Sequence, residues 1–345
     1  MPVQGALTFR RRGLGLQGID EQLVSPGYVL YSPLTSNTAH LVSTSGKEVH
    51  RWTLPYRVGR YARILPESSL AYNGVHPDAP RLFPMWAKYR GGMMIQLDSN
   101  GKILRQYSDP YAHHDQNHLD DGTILYTTLE PLTPAEAARV QGGIPGSEAP
   151  GGIIHADCIK LVRPWSASTI SPSADFEGEG KGGAKLLWSW RAIEHLDSEA
   201  FAAHAHHPRE HWPLIKEKEV KWEYEDTSTG GLGFFTPFMG SAQKLGNRNV
   251  LICEAATGRI FEVTEGGILV WEFVVPQLQD YKMVMAAEER EEMERNGFSN
   301  QSNAVFRAYK YTPKELEWLK GGFFYSNGQC IDFSILTWTV LSSVI

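Results

Sequence analysis

Two histidine-rich stretches carry the side chains best suited to chemistry. Residues 113–130 read H-H-D-Q-N-H-L-D-D-G-T-I-L-Y-T-T-L-E, placing His113, His114, Asp115 and His118 directly before an Asp120-Asp121-Gly122 turn. The run that follows is rich in β-branched and aromatic residues, the pattern of a strand. The second stretch, AHAHHPREHWPL at 203–214, holds His204, His206, His207 and His211, with His195 a little upstream. A neutral imidazole can attack an electrophile or shuttle a proton, and a nearby guanidinium can hold an anionic substrate. Arg191, Arg209 and Arg259 are candidates by their position near strand ends and the histidine clusters. Imidazoles also bind zinc or iron. The second stretch lacks the i, i+4 helical spacing of zinc motifs, however, and Pro208 breaks its backbone. A metal-dependent enzyme built on the two clusters therefore stands as an alternative, and no metal is expected.

The elements that must position these groups read as an all-β scaffold. AHLVSTSGKEVHRW ends at Trp52, GGMMIQLDSNGKILRQY at Tyr107 and AKLLWSW at Trp190, and GRIFEVTEGGILVWEF closes at Trp271. Each is two short strands, or the second of two, around a polar turn, closing on an aromatic residue. EVKWEY, ending at Tyr224, looks like the second half of such a unit. A second kind of hairpin precedes several of them: RILPESSLAY, NHLDDGTILYTT and QKLGNRNVLICEA. Two hairpins recurring every ~50–55 residues match the four-stranded repeat of a β-propeller blade. The expected domains are an irregular segment at 1–26, a propeller at 27–312, and a short helix with an apolar tail at 313–345. Helices are expected to be few and peripheral: a capping box at Thr133–Glu136, a second at Thr312–Glu315, and a helix over 280–296 capped by Asp280.

Composition narrows the function classes. The 345 residues carry a net charge of −6 and a pI near 6.1, which argues against nucleic acid or an anionic membrane as a general partner. Gly13-x-Gly15-x-x-Gly18 has no βαβ context and GEGKGGAK lacks the ending of a phosphate loop, so no nucleotide site is expected. Three cysteines make no disulfide framework; Cys158 and Cys253 read as small buried side chains. The start lacks the apolar stretch of a secretory signal, and FSILTWTVLSSVI at the other end is shorter than a bilayer span. A cytoplasmic protein is expected.

Several of these segments together resemble one family. Ser25-Pro26-Gly27-Tyr28, the His113-His114-Asp115 block, EHLD at 194–197, REHWPL at 209–214 and GSAQKLGNRNVLICEAATGRIFEVTEGGILVWEF at 240–273 are similar to the arylsulfotransferases. The resemblance covers nearly all of residues 20–312 and is most specific over 240–273. It implies a propeller, six-bladed in the family. The implied activity moves a sulfuryl group from a phenolic sulfate to a second phenol through a sulfohistidine, with no cofactor and no nucleotide sulfate donor. It carries His113, His114 and His211 over as catalytic residues, with Asp115, His118, Arg209 and Arg259 binding substrate. Partners would be small phenols and aryl sulfates. The chain departs from the pattern after Leu214, where Ile215-Lys216-Glu217-Lys218 leads straight into EVKWEY. An internal piece of about two blades, bearing the family's nucleophile, is expected to be missing, leaving four to five blades or an incomplete ring. A propeller that binds or scaffolds without catalysis is the other alternative.

Overall fold

A computed structural model describes residues 13–34, 36–82, 86, 90–140, 148–164, 184–195, 221–226, 234–236, 239–280, 286–295, 301–321, 323–326 and 329–332. In chain order the strands begin with β1 (Gly15–Ile19), β2 (Tyr28–Pro33), β3 (Thr38–Ser43) and β4 (Glu48–Thr53). β5 (Val58–Ile64), β6 (Leu70–Val75), β7 (Gly92–Leu97) and β8 (Ile103–Ser108) follow. Next come β9 (Ala112–His118), β10 (Ile124–Pro131), helix α1 (Pro134–Ala137), β11 (His155–Arg163), β12 (Lys185–Arg191) and helix α2 (Ala192–His195). β13 (Ser241–Lys244), β14 (Val250–Glu254), β15 (Arg259–Val263) and β16 (Leu269–Val274) form the last complete set. The chain ends through β17 (Gln279–Asp280), helix α3 (Ala287–Arg295), β18 (Gln301–Ser302), β19 (Val305–Tyr311) and the hairpin β20 (Phe323–Ser326) with β21 (Gln329–Asp332).

The architecture is mostly antiparallel β. Sheet I has the order β19-β2-β3-β4, sheet II β5-β6-β7-β8, sheet III β9-β10-β11-β12, and sheet IV β13-β14-β15-β16 with β1 added outside β16. None of the four closes on itself. Their edge strands lie side by side, β13 against β19, β19 against β5, and β5 against β9. Between sheets I and II sits a core of Leu30, Leu41, Trp52, Ile64, Tyr72 and Ile95. Sheets IV and I share Val29, Tyr31, Leu251, Ile260, Trp271 and Phe273, and sheets II and III share Met94, Ile124, Tyr126 and Val162. Burial of both faces explains why the strands read as apolar runs rather than strict alternation.

The repeat suggested by the sequence is physical. In each sheet the last hairpin slips register once, at Leu41/Val42, Gln96/Leu97, Leu161/Val162 and Glu262/Val263. Such bulges sharpen the local twist and re-aim the outer strand. The aromatic closures then tie one sheet to the next. Trp52 Nε1 donates to Asp98 O at 3.1 Å, and Trp271 Nε1 donates to Thr44 O at 2.7 Å; both acceptors lie in the last hairpin turn of the neighbouring sheet. Trp222, in a stretch with no strand, makes the same tie to Glu265 O at 3.0 Å.

Three expectations need correction. Residues 15–19, placed in an irregular segment, form β1 against β16; the Gly13-x-Gly15-x-x-Gly18 pattern thus lies on an edge strand. The helix expected over 280–296 is described over Ala287–Arg295, and Asp280, its expected cap, instead pairs as a strand residue with Gln301; residues 281–285 and 296 lie outside the described residues. Arg259, expected to bind substrate, is buried among Glu272, Glu254 and Asp226. Its guanidinium holds sheet IV together and stacks on Phe261 at 4.0 Å. Thr133, by contrast, caps α1 through the expected reciprocal bonds with Glu136.

Candidate active site

The His113-His114-Asp115 block lies on β9, the edge strand of sheet III next to β5. β10 pairs Tyr126 with Gln116 and then Thr127 with His113, so His114 and Asp115 are extra residues in the ladder. His114 takes a left-handed backbone, φ 51°, a conformation that costs a non-glycine residue roughly 1–2 kcal/mol. Thr127 pins the bulge: its hydroxyl donates to His113 O at 2.5 Å and accepts from Asp115 N at 3.3 Å. Strain held this way at a polar cluster is the sort of feature that binding or catalytic sites retain.

The bulge turns the two imidazoles onto each other. His113 Nδ1 and His114 Nδ1 are 2.7 Å apart, with the rings edge to face at 4.9 Å. Trp86 lies edge-on to His113 at 6.0 Å. Burial pushes the His114 pKa down to about 4, helped by the positive charge of Arg60 and by His113. The ring is therefore neutral at pH 7 and retains a lone pair. Arg60 comes from β5, is itself buried, donates to Met239 Sδ at 3.3 Å and lies over the Phe306 ring. Asp157, on β11, approaches the pair from the other side, with Oδ1 3.1 Å from His113 Nε2. The His113 ring holds that carboxyl below the usual range.

Beside the bulge opens a cavity of about 310 Å³, lined by Arg63, Asp115, Asn117, Leu125, Ile159 and Arg307 among others. Its polar groups are paired across strands: Arg307 with Asp115 at 2.5 Å and Arg63 with Asn117 Oδ1 at 3.1 Å. Leu125, Ile159, Tyr126 and Tyr309 supply apolar wall. His118 is elsewhere, at the far end of β9, lining a second cavity of about 250 Å³ with Glu67, Gln96 and Arg105. Burial, then Arg105 and Arg63, lowers its pKa to about 4.

The structure thus brings together His113, His114 and Asp115, and separates His118 and Arg259 from them. Arg191 is spent on Glu130, Glu136 and Glu194. His204, His206, His207, Arg209 and His211 lie outside the described residues. Among the described residues no three His, Cys, Asp or Glu side chains converge as a metal site. Cys158 is buried and its thiol pushed up to about 11 by that burial, and Cys253 is likewise raised; neither offers a thiolate. Among the described residues no helix is long and apolar enough to cross a membrane. Sequence reasoning missed Arg60, Asp157, Arg63 and Arg307, which stand in ordinary alternating strand positions on other strands.

No family model matches the chain, and no curated protein is similar to it. Among solved structures it is similar to a protein of unknown function from Bacteroides caccae, at 11% identity with a TM-score of 0.26. That match covers 74% of this chain and 60% of the other, so the chain spans less than two thirds of that protein's length.

Proposed function

We propose that the chain is an arylsulfotransferase-like β-propeller with four blades and the remnant of a fifth, and that His114 is the residue that meets the sulfuryl group. Sheets I to IV are the four blades. The Trp222 tie, made where a neighbouring blade's outer strand would make it, supports the remnant. The observation that carries the activity is the neutral His114 ring held on a strained bulge beside Arg60. His114 attacks the sulfur of an aryl sulfate: an N–S bond forms, the aryl O–S bond breaks, and the phenolate leaves with the electron pair. A second phenol then attacks the sulfohistidine, gives up its proton to solvent, takes the sulfuryl group and restores the imidazole. Arg60 stabilises charge on the sulfuryl oxygens, and the cavity beside Asp115 receives the aromatic ring.

A non-catalytic binding propeller is the second reading. It is favoured by the Arg307–Asp115 pair, which neutralises a guanidinium that an anionic substrate would otherwise engage. One experiment separates the two. Full-length protein is incubated with 4-nitrophenyl sulfate and excess phenol, and nitrophenolate release is followed. Turnover that falls by about 10²–10⁴-fold in His114→Ala supports sulfuryl transfer. Silence of the wild type at high protein concentration overturns it, and saturable binding of the ester without turnover favours the binding module.

A further inference from the structure

We infer that Asp157 is a positioning residue that sets the tautomers of the His113–His114 pair, leaving His114 with its lone pair on Nε2. The identity of the reacting nitrogen rests on the sulfuryl-transfer reading; the tautomers themselves do not.

A single proton can lie between the two Nδ1 atoms at 2.7 Å, so two neutral arrangements exist. In one, His113 Nδ1–H donates to His114. His113 Nε2 is then a bare lone pair, and it faces the Asp157 carboxylate at 3.1 Å, lone pair against anion. In the other, His114 Nδ1–H donates to His113, and the His113 proton sits on Nε2, pointing toward that carboxylate. The second arrangement replaces a repulsion by an attraction. The contact is electrostatic rather than a formed hydrogen bond, since among the described residues His113 Nε2 has no hydrogen-bond partner. Asp157 is therefore the group whose charge decides the choice. It is held where it can do so by the sheet: β9, β10 and β11 are successive strands, with Asp157 opposite Leu129.

The arrangement also carries charge during the reaction. When His114 Nε2 bonds to sulfur, its ring becomes cationic. Passing the Nδ1 proton to His113 Nδ1 leaves a neutral N-sulfoimidazole and an imidazolium at His113, beside Asp157. When the acceptor takes the sulfuryl group, the proton returns to His114 Nδ1. No proton is gained or lost by the pair over the cycle.

Long-range proton–nitrogen NMR of the full chain with ¹⁵N-labelled histidine, at pH 8, reads the tautomers directly. Spectra of His113→Gln and His114→Gln assign the two rings. The expected result is His114 protonated on Nδ1 and His113 on Nε2, kept in Asp157→Glu and shifted toward the reverse in Asp157→Ala. Reversed tautomers in the wild type, a His113 protonated on both nitrogens, or an unchanged pattern in Asp157→Ala each overturn the inference. Because the Asp157 side chain is 68% exposed, the substitution removes little packing. In the 4-nitrophenyl sulfate assay, Asp157→Ala is expected to lower kcat by roughly tenfold or more with KM little changed, and Asp157→Glu to restore it. Expected tautomers with no turnover in any variant support the role of Asp157 and overturn sulfuryl transfer.

Discussion

His114 and His118 share one strand and one electrostatic condition, an imidazole held neutral by burial and by nearby arginines. The sign of the consequence follows from linkage. Unfolded, each ring takes up its proton near pH 6.5; folded, each waits until about pH 4. Between those values the unfolded chain binds more protons, so stability is fully present above pH 6.5 and is lost as pH falls toward 4. The buried His118 alone contributes a slope of about 1.4 kcal/mol per pH unit in that window, and the partly exposed His114 somewhat less. Denaturant titrations between pH 4.5 and 7.5 should show this slope, reduced by about one histidine's worth in His118→Gln. An unchanged slope would show that His118 is not buried in its neutral form. As for what could be read in advance, His113, His114 and Asp115 were legible because they are adjacent in sequence and chemically conspicuous. Arg60 and Asp157 were not, since each becomes relevant only when another strand brings it near, and nothing in GRYARI or HADCIK sets those residues apart from other strand residues.

At the scale of the element, one turn is used six times. Leu65, Leu119 and Leu245 close the first hairpins of sheets II, III and IV with backbone bonds to Ser69, Thr123 and Asn249. Ser43, Asp98 and Thr264 close the last hairpins of sheets I, II and IV with bonds to Lys47, Lys102 and Ile268. The fourth residue is left-handed every time. Gly46, Gly101, Gly122 and Gly267 meet that demand freely, while Ser68 (φ 68°) and Arg248 (φ 73°) do not. Replacing either by glycine relieves the strain at some cost in chain entropy, for a net gain of about 0.5–1 kcal/mol. The exposed Arg248–Glu265 contact, at 3.8 Å, is too weak to reverse this. Chemical denaturation of Ser68→Gly and Arg248→Gly tests it; destabilisation in both would mean the turn is not strained. The hairpins themselves were legible from period-two patterning and turn residues. The closing tryptophans were legible as positions but not as ties, because their acceptors are backbone carbonyls in the neighbouring sheet, which no side-chain pattern announces. Strand β1 was hidden for the opposite reason: with Gly15 and Gly18 in a strand of five residues, local propensity argues against the pairing that sheet IV imposes on it.

Across the whole molecule, the two ends of the chain are exchanged between the first and last sheets. β1 completes the outside of sheet IV, and β19 completes the inner edge of sheet I. Gly27 permits the second join, since a Cβ there would lie 2.2 Å from Tyr311 O. Lys310 of β19 reaches Glu262 of β15 at 2.5 Å, while the other oxygen of that fully buried carboxylate accepts from Ser25 N and Asn249 Nδ2 at 2.7 and 2.6 Å. Removing the ammonium alone leaves an uncompensated charge, so Lys310→Met should cost about 3–5 kcal/mol. Adding Glu262→Gln should recover part of it, and additive losses in the double-mutant cycle would show the pair to be uncoupled. The exchange of ends has a further consequence for synthesis on the ribosome. Sheet I cannot receive its inner strand until the chain between Pro33 and Val305 has been made, which at ~5–20 residues per second is a wait on the order of 10–60 s. Throughout that interval β2 presents an unpaired apolar edge, the kind that recruits strands from other chains. The nascent protein therefore needs shielding over β2 until β19 emerges.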